Sequence, residues 1–307
     1  MAGLREIKNR IKSIEDTKKI TSAMYMISST KMKKARETLE ETEPYFYMLQ
    51  STADRILRHI PPDMEHRYFG NPGDLQRKTG LLVITDDKGL AGSYNYNILR
   101  MAQTFLDQKD CQVKLFVVGE LGRHYFKTRR IPIQENFQYT VQNPTFNRAR
   151  WISETLLEKY QAGEINELYV LYTRMENGMQ SVTESERVLP LERFCAREIP
   201  ADVYHEDFLL LPSAEKAIDT IFPNVITGFI YGALVESYCA AQNARMMAME
   251  AATDNADDLL RELRIMYNRA RQAEITQEIT EVSSGAKAQR MSRNRKKAAA
   301  KSSNCCK

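Results

Sequence analysis

The chain has 307 residues, 43% of them apolar, enough for one sizeable core and additional elements. Its 44 Lys and Arg nearly cancel its 40 Asp and Glu, and the net charge of +4 excludes the overall basicity of a nucleic-acid binder. The apolar runs Gly80–Thr85 and Val113–Gly119 fall far short of the roughly 20 residues of a membrane helix, and Met1–Arg10 lacks the apolar centre of a secretory signal.

Residues 3–43 contain no Pro and a single Gly, at position 3, and are rich in Lys, Arg, Glu, Ile, Met and Ala, so a long helix is predicted. Leu4, Ile7, Ile11 and Ile14 follow the 3-4 spacing of a coiled-coil seam. A phase shift then resumes the pattern on Ile20, Met24 and Ile27, followed by Met32, Ala35 and Leu39.

The middle of the chain changes character. Short apolar runs (Leu81–Thr85, Val113–Val118, Leu168–Thr173) alternate with helical stretches (Tyr94–Asp107, Glu120–Lys127, Arg148–Gln161), the pattern of βαβ units on a parallel sheet. Gln180–Leu189 alternates like an edge strand, and Pro61–Pro62, Asn71–Gly73 and Pro200–Pro212 read as connectors.

After Pro223 a second long helix is predicted, with Ile226, Ile230, Ala233, Ser237, Ala241, Ala244, Ala248 and Ala251 in a heptad-like register. Leu259, Leu263, Met266, Ala270 and Ala273 continue it, and two terminal helices of this pattern are expected to pair. The fold class is therefore α/β: a long antiparallel coiled coil of the terminal helices plus a central Rossmann-like domain. The segments are 1–60 (first coiled-coil helix), 75–205 (α/β domain), 212–290 (last coiled-coil helix) and 291–307, a basic tail expected to be disordered.

Catalytic motifs are missing: there is no GxxxxGK[ST], HExxH or GxSxG. Gly89-Leu90-Ala91-Gly92 follows a predicted strand and opens a helix, where backbone N–H groups can cradle an anion, although a tight turn needs the same glycines. Gly119 and Gly122 repeat that turn after the next strand. Asp86 and Asp87 lie where parallel strands end, a position suited to a metal or to acid–base work, and equally to capping the turn.

His59, His66, His124 and His205 are scattered, and Cys111, Cys195, Cys239, Cys305 and Cys306 show neither CxxC spacing nor a nearby His cluster. No cofactor, metal or catalytic residue is expected. Met24, Met26 and Met32, with Met246, Met247 and Met249, read as coiled-coil packing. By pattern alone, a non-catalytic coiled-coil scaffold with an α/β domain remains the alternative.

Four ordered stretches resemble the gamma-subunit family of F-type ATP synthases over nearly the whole chain. They are Gly3-Leu4-Arg5-Glu6-Ile7-Lys8 running on to Ile20-Thr21-Ser22-Ala23-Met24-Tyr25-Met26; the turn Asp87-Lys88-Gly89-Leu90-Ala91-Gly92; Ala244–Met249 with Ala252–Ala256; and Ile275–Ala288. The resemblance implies a rotor shaft inside a ring of alpha and beta subunits, with the epsilon subunit and the membrane c-ring as further partners. It also implies a peripheral place on the cytoplasmic side of a bacterial membrane. It carries over Met24, Arg245, Gln277, Glu278 and Thr280 as rotor contacts with beta subunits. Ser22, where relatives more often have Lys, and Leu209-Leu210-Leu211-Pro212, where relatives more often end in Glu-Pro, depart from the pattern.

Overall fold

The computed structural model describes residues 2–60, 64–69, 78–108, 112–176, 180–191, 210–211 and 213–303, leaving aside the side chains of 2 and 294–303. Two helices dominate, α1 (Ala2–His59) and the last, 90-residue helix, Ala214–Ser303. Between them lie β1 (Lys78–Ile84), α2 (Tyr94–Gln108), β2 (Gln112–Val118), α3 (Glu120–Thr128), α4 (Phe146–Gln161), β3 (Glu167–Met175) and β4 (Ser181–Leu189), which makes the last helix α5. The chain divides into two compact units, residues 1–23 with 250–307, and residues 24–249. The division passes through both long helices rather than at their ends.

The larger unit is built on a four-stranded sheet of order β2-β1-β3-β4, with β1 parallel to β2 and to β3 and β4 antiparallel to β3. Both faces are covered, which is why the strands read as continuous apolar runs. Leu81, Val83, Leu115, Val117 and Leu171 pack with Ile98, Leu99, Ala102 and Phe126 of α2 and α3. Leu82, Ile84, Phe116, Leu168 and Val170 face Ile152 and Leu156 of α4, Ala53 and Ile56 of α1, and Phe222, Ile226, Ile230 and Leu234 of α5.

Composition alone would class a stretch of α5 as a membrane span, since one 18-residue window has mean hydropathy 1.4; 56% of it is buried inside the fold. From Ile218 to Cys239, α5 supplies much of this core. Pro44 and Pro223 lie inside α1 and α5.

In the smaller unit the start of α1 runs antiparallel to α5. Glu15 pairs with Arg264 (3.0 Å), Lys18 with Asp257 (2.5 Å), and the hydroxyls of Thr21 and Thr253 lie 2.8 Å apart. The seam therefore differs from the one read from hydrophobicity. Counting 3-4 from Leu4 without a phase shift gives Lys18, Thr21, Tyr25 and Ser28, all buried or half-buried, and then Met32, Ala35 and Leu39.

Ile20 and Ile27, expected in the seam, are 62% and 53% exposed, and Met24 is half-buried. Lys18 and Thr21 are tolerated in this seam because Asp257 and Thr253 of α5 satisfy them; a buried hydroxyl or ammonium with a partner costs far less than one without. On α5 the seam of this unit is Thr253, Ala256, Leu260, Leu263, Tyr267 and Ala270. Leu263 and Ala270 were expected there, whereas Ala251, Leu259, Met266 and Ala273 are exposed, so the sequence reading was displaced by about one residue at those positions.

The helix does not stop at 290. Backbone helix continues to Ser303, because Met291–Ser303 holds Ala, Lys and Arg with neither Pro nor Gly, a composition of high helix propensity.

Candidate functional site

Within the larger unit, the carboxyl ends of β1 and β3 are fastened to α5. The sheet order places β1 between its two parallel neighbours, so its carboxyl end is the crevice where open α/β sheets commonly hold ligands. Here a side chain of the same protein fills it. Arg245 of α5, only 6% exposed, donates from Nη2 to the Asp86 carboxylate. The same guanidinium donates to the carbonyl oxygens of Lys88 (3.1 Å) and Gly89 (3.2 Å).

Carbonyl oxygens converging on a cation are the opposite of an anion cradle, which needs converging N–H groups. The carbonyls of Lys88 and Gly89, at the head of the turn, thus receive a guanidinium. Gly92 sits at φ +52°, and Leu90, also left-handed at φ 63°, is exposed.

Both aspartates are fully occupied. Asp86 accepts from Arg245 and from the N–H of Asp87 (2.8 Å). Asp87 accepts from the N–H of Glu120 at the start of α3 (3.0 Å), from the Thr140 hydroxyl, and from the N–H groups of Val141 (3.0 Å) and Gln142 (3.2 Å). These carboxylates staple three segments together, the capping role that the sequence offered.

Two further contacts close the same sheet end. The Ser237 hydroxyl accepts from the N–H of Thr173 (3.2 Å), and Glu236 Oε2 accepts from the N–H of Met175 (3.0 Å). Tyr94 is buried alongside Ala91, Ala240 and Ala241, and that burial, reinforced by the Asp86 charge, pushes its hydroxyl pKa up.

Burial also raises the Glu236 pKa above the ordinary carboxylate range; the Met175 N–H, Arg174 and Arg36 oppose the rise and Glu184 adds to it. The folded state therefore holds this proton more tightly than the unfolded chain, so stability falls as pH rises from the unfolded value of about 4.3 through the raised one. Glu236→Gln keeps an acceptor for Met175. Its stability relative to the parent is expected to grow between pH 4.5 and pH 7, read by urea unfolding; a constant difference would refute the assignment.

The other candidate region lies in the smaller unit. Past Glu274 every described side chain of α5, through Arg293, is exposed. Ile275, Ile279 and Val282, with Ala286, repeat the 4-3-4 spacing and form an uncovered apolar stripe, with Val282 73% exposed. Gln277, Glu278 and Thr280 flank it. Gln277 donates to Glu281 (2.9 Å) and Thr280 to the Thr276 carbonyl (2.7 Å), bonds along the helix that leave these side chains open to solvent.

Of the residues singled out in the sequence, Gln277, Glu278 and Thr280 lie together on this exposed segment. Met24 and Arg245 belong to the larger unit, Met24 half-buried and Arg245 buried on Asp86. Sequence reasoning missed the outward faces of Ile20 and Ile27 and the partnership of Asp86 with Arg245. Unbroken heptad counting would have found the first; no local signal marks the second, whose members are 159 residues apart.

The His66 side chain is buried near Asp219 (3.4 Å), His59 approaches the Arg55 carbonyl (2.8 Å), and His205 falls outside the described residues. Cys239 is buried, its thiol pushed up to about 11 mainly by burial, while Cys111, Cys195, Cys305 and Cys306 lie outside the described residues. Among the described residues no group of three or more His, Cys, Asp or Glu is placed to hold a metal.

Fold and sites define a class: an α/β domain continuous in sequence with paired terminal helices, its ligand crevice closed by its own arginine. The chain belongs to the ATP synthase gamma chain family, since the family model described as ATP synthase matches residues 3–289. It is 41% identical to the ATP synthase gamma chain of Ruminiclostridium cellulolyticum over 289 residues, covering 93% of this chain and 98% of that one. It is 39% identical to that of Acetivibrio thermocellus, covering 94% and 99%.

In fold it is similar to a chain of the Euglena gracilis mitochondrial ATP synthase in rotational state 3, with TM-score 0.64 and 16% identity, covering 94% of each chain. A chain of the Tetrahymena thermophila enzyme's central stalk and c-ring gives TM-score 0.54 at 23% identity, covering 76% of this chain and 99% of that one.

Proposed function

We propose that this chain is the central rotor shaft of an ATP synthase, a non-catalytic subunit that couples ion-driven rotation to ATP synthesis and hydrolysis in a ring of alpha and beta subunits. The observation that carries the reading, beside family membership, is the tip of α5: a helix whose apolar stripe at Ile275, Ile279 and Val282 has no covering partner within the described residues. An isolated helix with an exposed apolar stripe is marginal in water, and a surrounding sleeve supplies the missing burial.

A single asymmetric shaft presents a different face to each of three beta subunits. Each nucleotide site is then biased by the difference in contact that the shaft makes with its open and closed forms, and rotation moves the bias around the ring. Met24, Gln277, Glu278 and Thr280 are the proposed direct contacts with beta subunits. Arg245 serves the same interface as a positioning residue, holding the turn with its exposed Leu90. The epsilon subunit and the membrane c-ring are the further partners, and the place is peripheral, on the cytoplasmic side of a bacterial membrane.

The test mixes this chain with purified alpha and beta subunits and compares it with a chain ending at Glu274. The full chain is expected to give an assembled, cooperative ATPase. The shortened chain is expected to lower the rate about tenfold, the equivalent of ~1.4 kcal/mol of lost site discrimination. A chain that ignores both subunits would overturn the reading and favour a free-standing scaffold.

A further inference from the structure

The family match ends at residue 289, yet helix α5 runs on to Ser303. Those added turns hold Arg290, Arg293, Arg295, Lys296, Lys297 and Lys301 and no Asp or Glu. The whole chain carries +4; taking away these six and Lys307 leaves residues 1–289 at −3, so the chain's basicity is concentrated beyond its family-matched part.

Arg290, Arg293, Lys297 and Lys301 follow one another in the sequence at spacings of 3, 4 and 4, the repeat of one helix face. Like charges at those spacings repel and weaken the helix that carries them. The helix dipole does not account for all of them, because its pull on cations is confined to the last turn and Arg290 and Arg293 lie well before it. A helix bearing such a stripe is relieved by negative charge supplied from outside the chain.

We propose that residues 290–303 form an electrostatic contact with a carboxylate-bearing rim of the surrounding alpha/beta ring, one that must be remade as the shaft turns. This rests on the shaft reading above. A protein rim is favoured over anionic lipid or nucleic acid by continuity: Arg290 follows Val282 by about 12 Å of the same helix. Whatever encloses the Ile275–Val282 stripe is thus the surface nearest to the basic face.

Three chains distinguish the outcomes: the full chain, a variant carrying R290Q, R293Q, K297Q and K301Q, and a chain ending at Gln289, each assembled with alpha and beta subunits. At about 0.01 M salt, where screening extends to ~30 Å, the full chain is expected to hydrolyse ATP about threefold more slowly than the other two. At about 0.15 M, where screening shortens to ~8 Å, the gap should close.

Equal rates at both salt concentrations would overturn the proposal. So would a rate gap that appears only when phosphatidylglycerol vesicles or single-stranded DNA are added, which would assign the stripe to phosphates. Failure of only the shortened chain to assemble would make the extension an assembly element instead. Failure of all three chains to assemble would overturn the shaft reading, and this proposal with it.

Discussion

Arg245→Ala is expected to lower the unfolding free energy of the free subunit by about 3–5 kcal/mol, because it leaves the buried Asp86 carboxylate without its counter-charge. It also strips the Lys88 and Gly89 carbonyls of their donor. A role for Arg245 as a contact with a beta subunit would instead leave the stability of the free subunit unchanged. Burial changes that expectation: an arginine aimed at a partner would be exposed, and this one is not.

The control is the paired change Arg245→Met with Asp86→Leu, which removes both charges at similar volume. It should recover the part of the lost stability that comes from the unpaired Asp86 charge, since an apolar pair can replace a buried ion pair at little cost, while the Lys88 and Gly89 carbonyls stay without their donor. Urea unfolding of the two single variants and the double variant gives the coupling directly. If Arg245→Ala unfolds at the same urea concentration as the parent, the clamp is not structural.

Gly119→Ala is expected to be about as damaging, at ~3–5 kcal/mol, from backbone strain and overpacking together. Gly119 follows β2 at φ +98°, a region that L side chains rarely adopt. An added Cβ would lie 2.2 Å from the Thr85 carbonyl oxygen at the end of β1. Backbone cannot yield there, because Thr85 is bonded to Val118 across the sheet at 2.9 Å. Gly163 is the contrast: it too has positive φ, at +68°, but nothing stands within 4 Å of its added Cβ. Gly163→Ala should therefore show the strain alone, about 1–3 kcal/mol. Equal thermal shifts for the two variants would show that the Thr85 contact carries none of the cost.

Most of the architecture was legible along the chain. The runs Leu81–Thr85, Val113–Val118 and Leu168–Thr173 became β1, β2 and β3, and Gln180–Leu189 became the edge strand β4. These elements announce themselves because a strand buried on both faces must be apolar throughout, and a helix on a sheet must repeat every 3.6 residues. The exposed tip was legible in a different way. The stretch Ile275–Ala288 was recognised by resemblance, and the stripe within it needs no folded partner to be read.

Which stripe of a helix faces inward was not legible. On α1, Ile20, Met24 and Ile27 are the more apolar set, yet Lys18, Thr21 and Ser28 take the seam, because Asp257 and Thr253 stand opposite to receive the first two. Those partners are 239 and 232 residues away, beyond the reach of any periodicity. Sequence by itself determined the element types, their order, the break between helix and sheet, and the family, all of which are local or patterned properties. Tertiary structure alone decided the phase of the coiled coil and turned Arg245 inward onto Asp86, because a polar side chain is buried only where a distant group completes its hydrogen bonds.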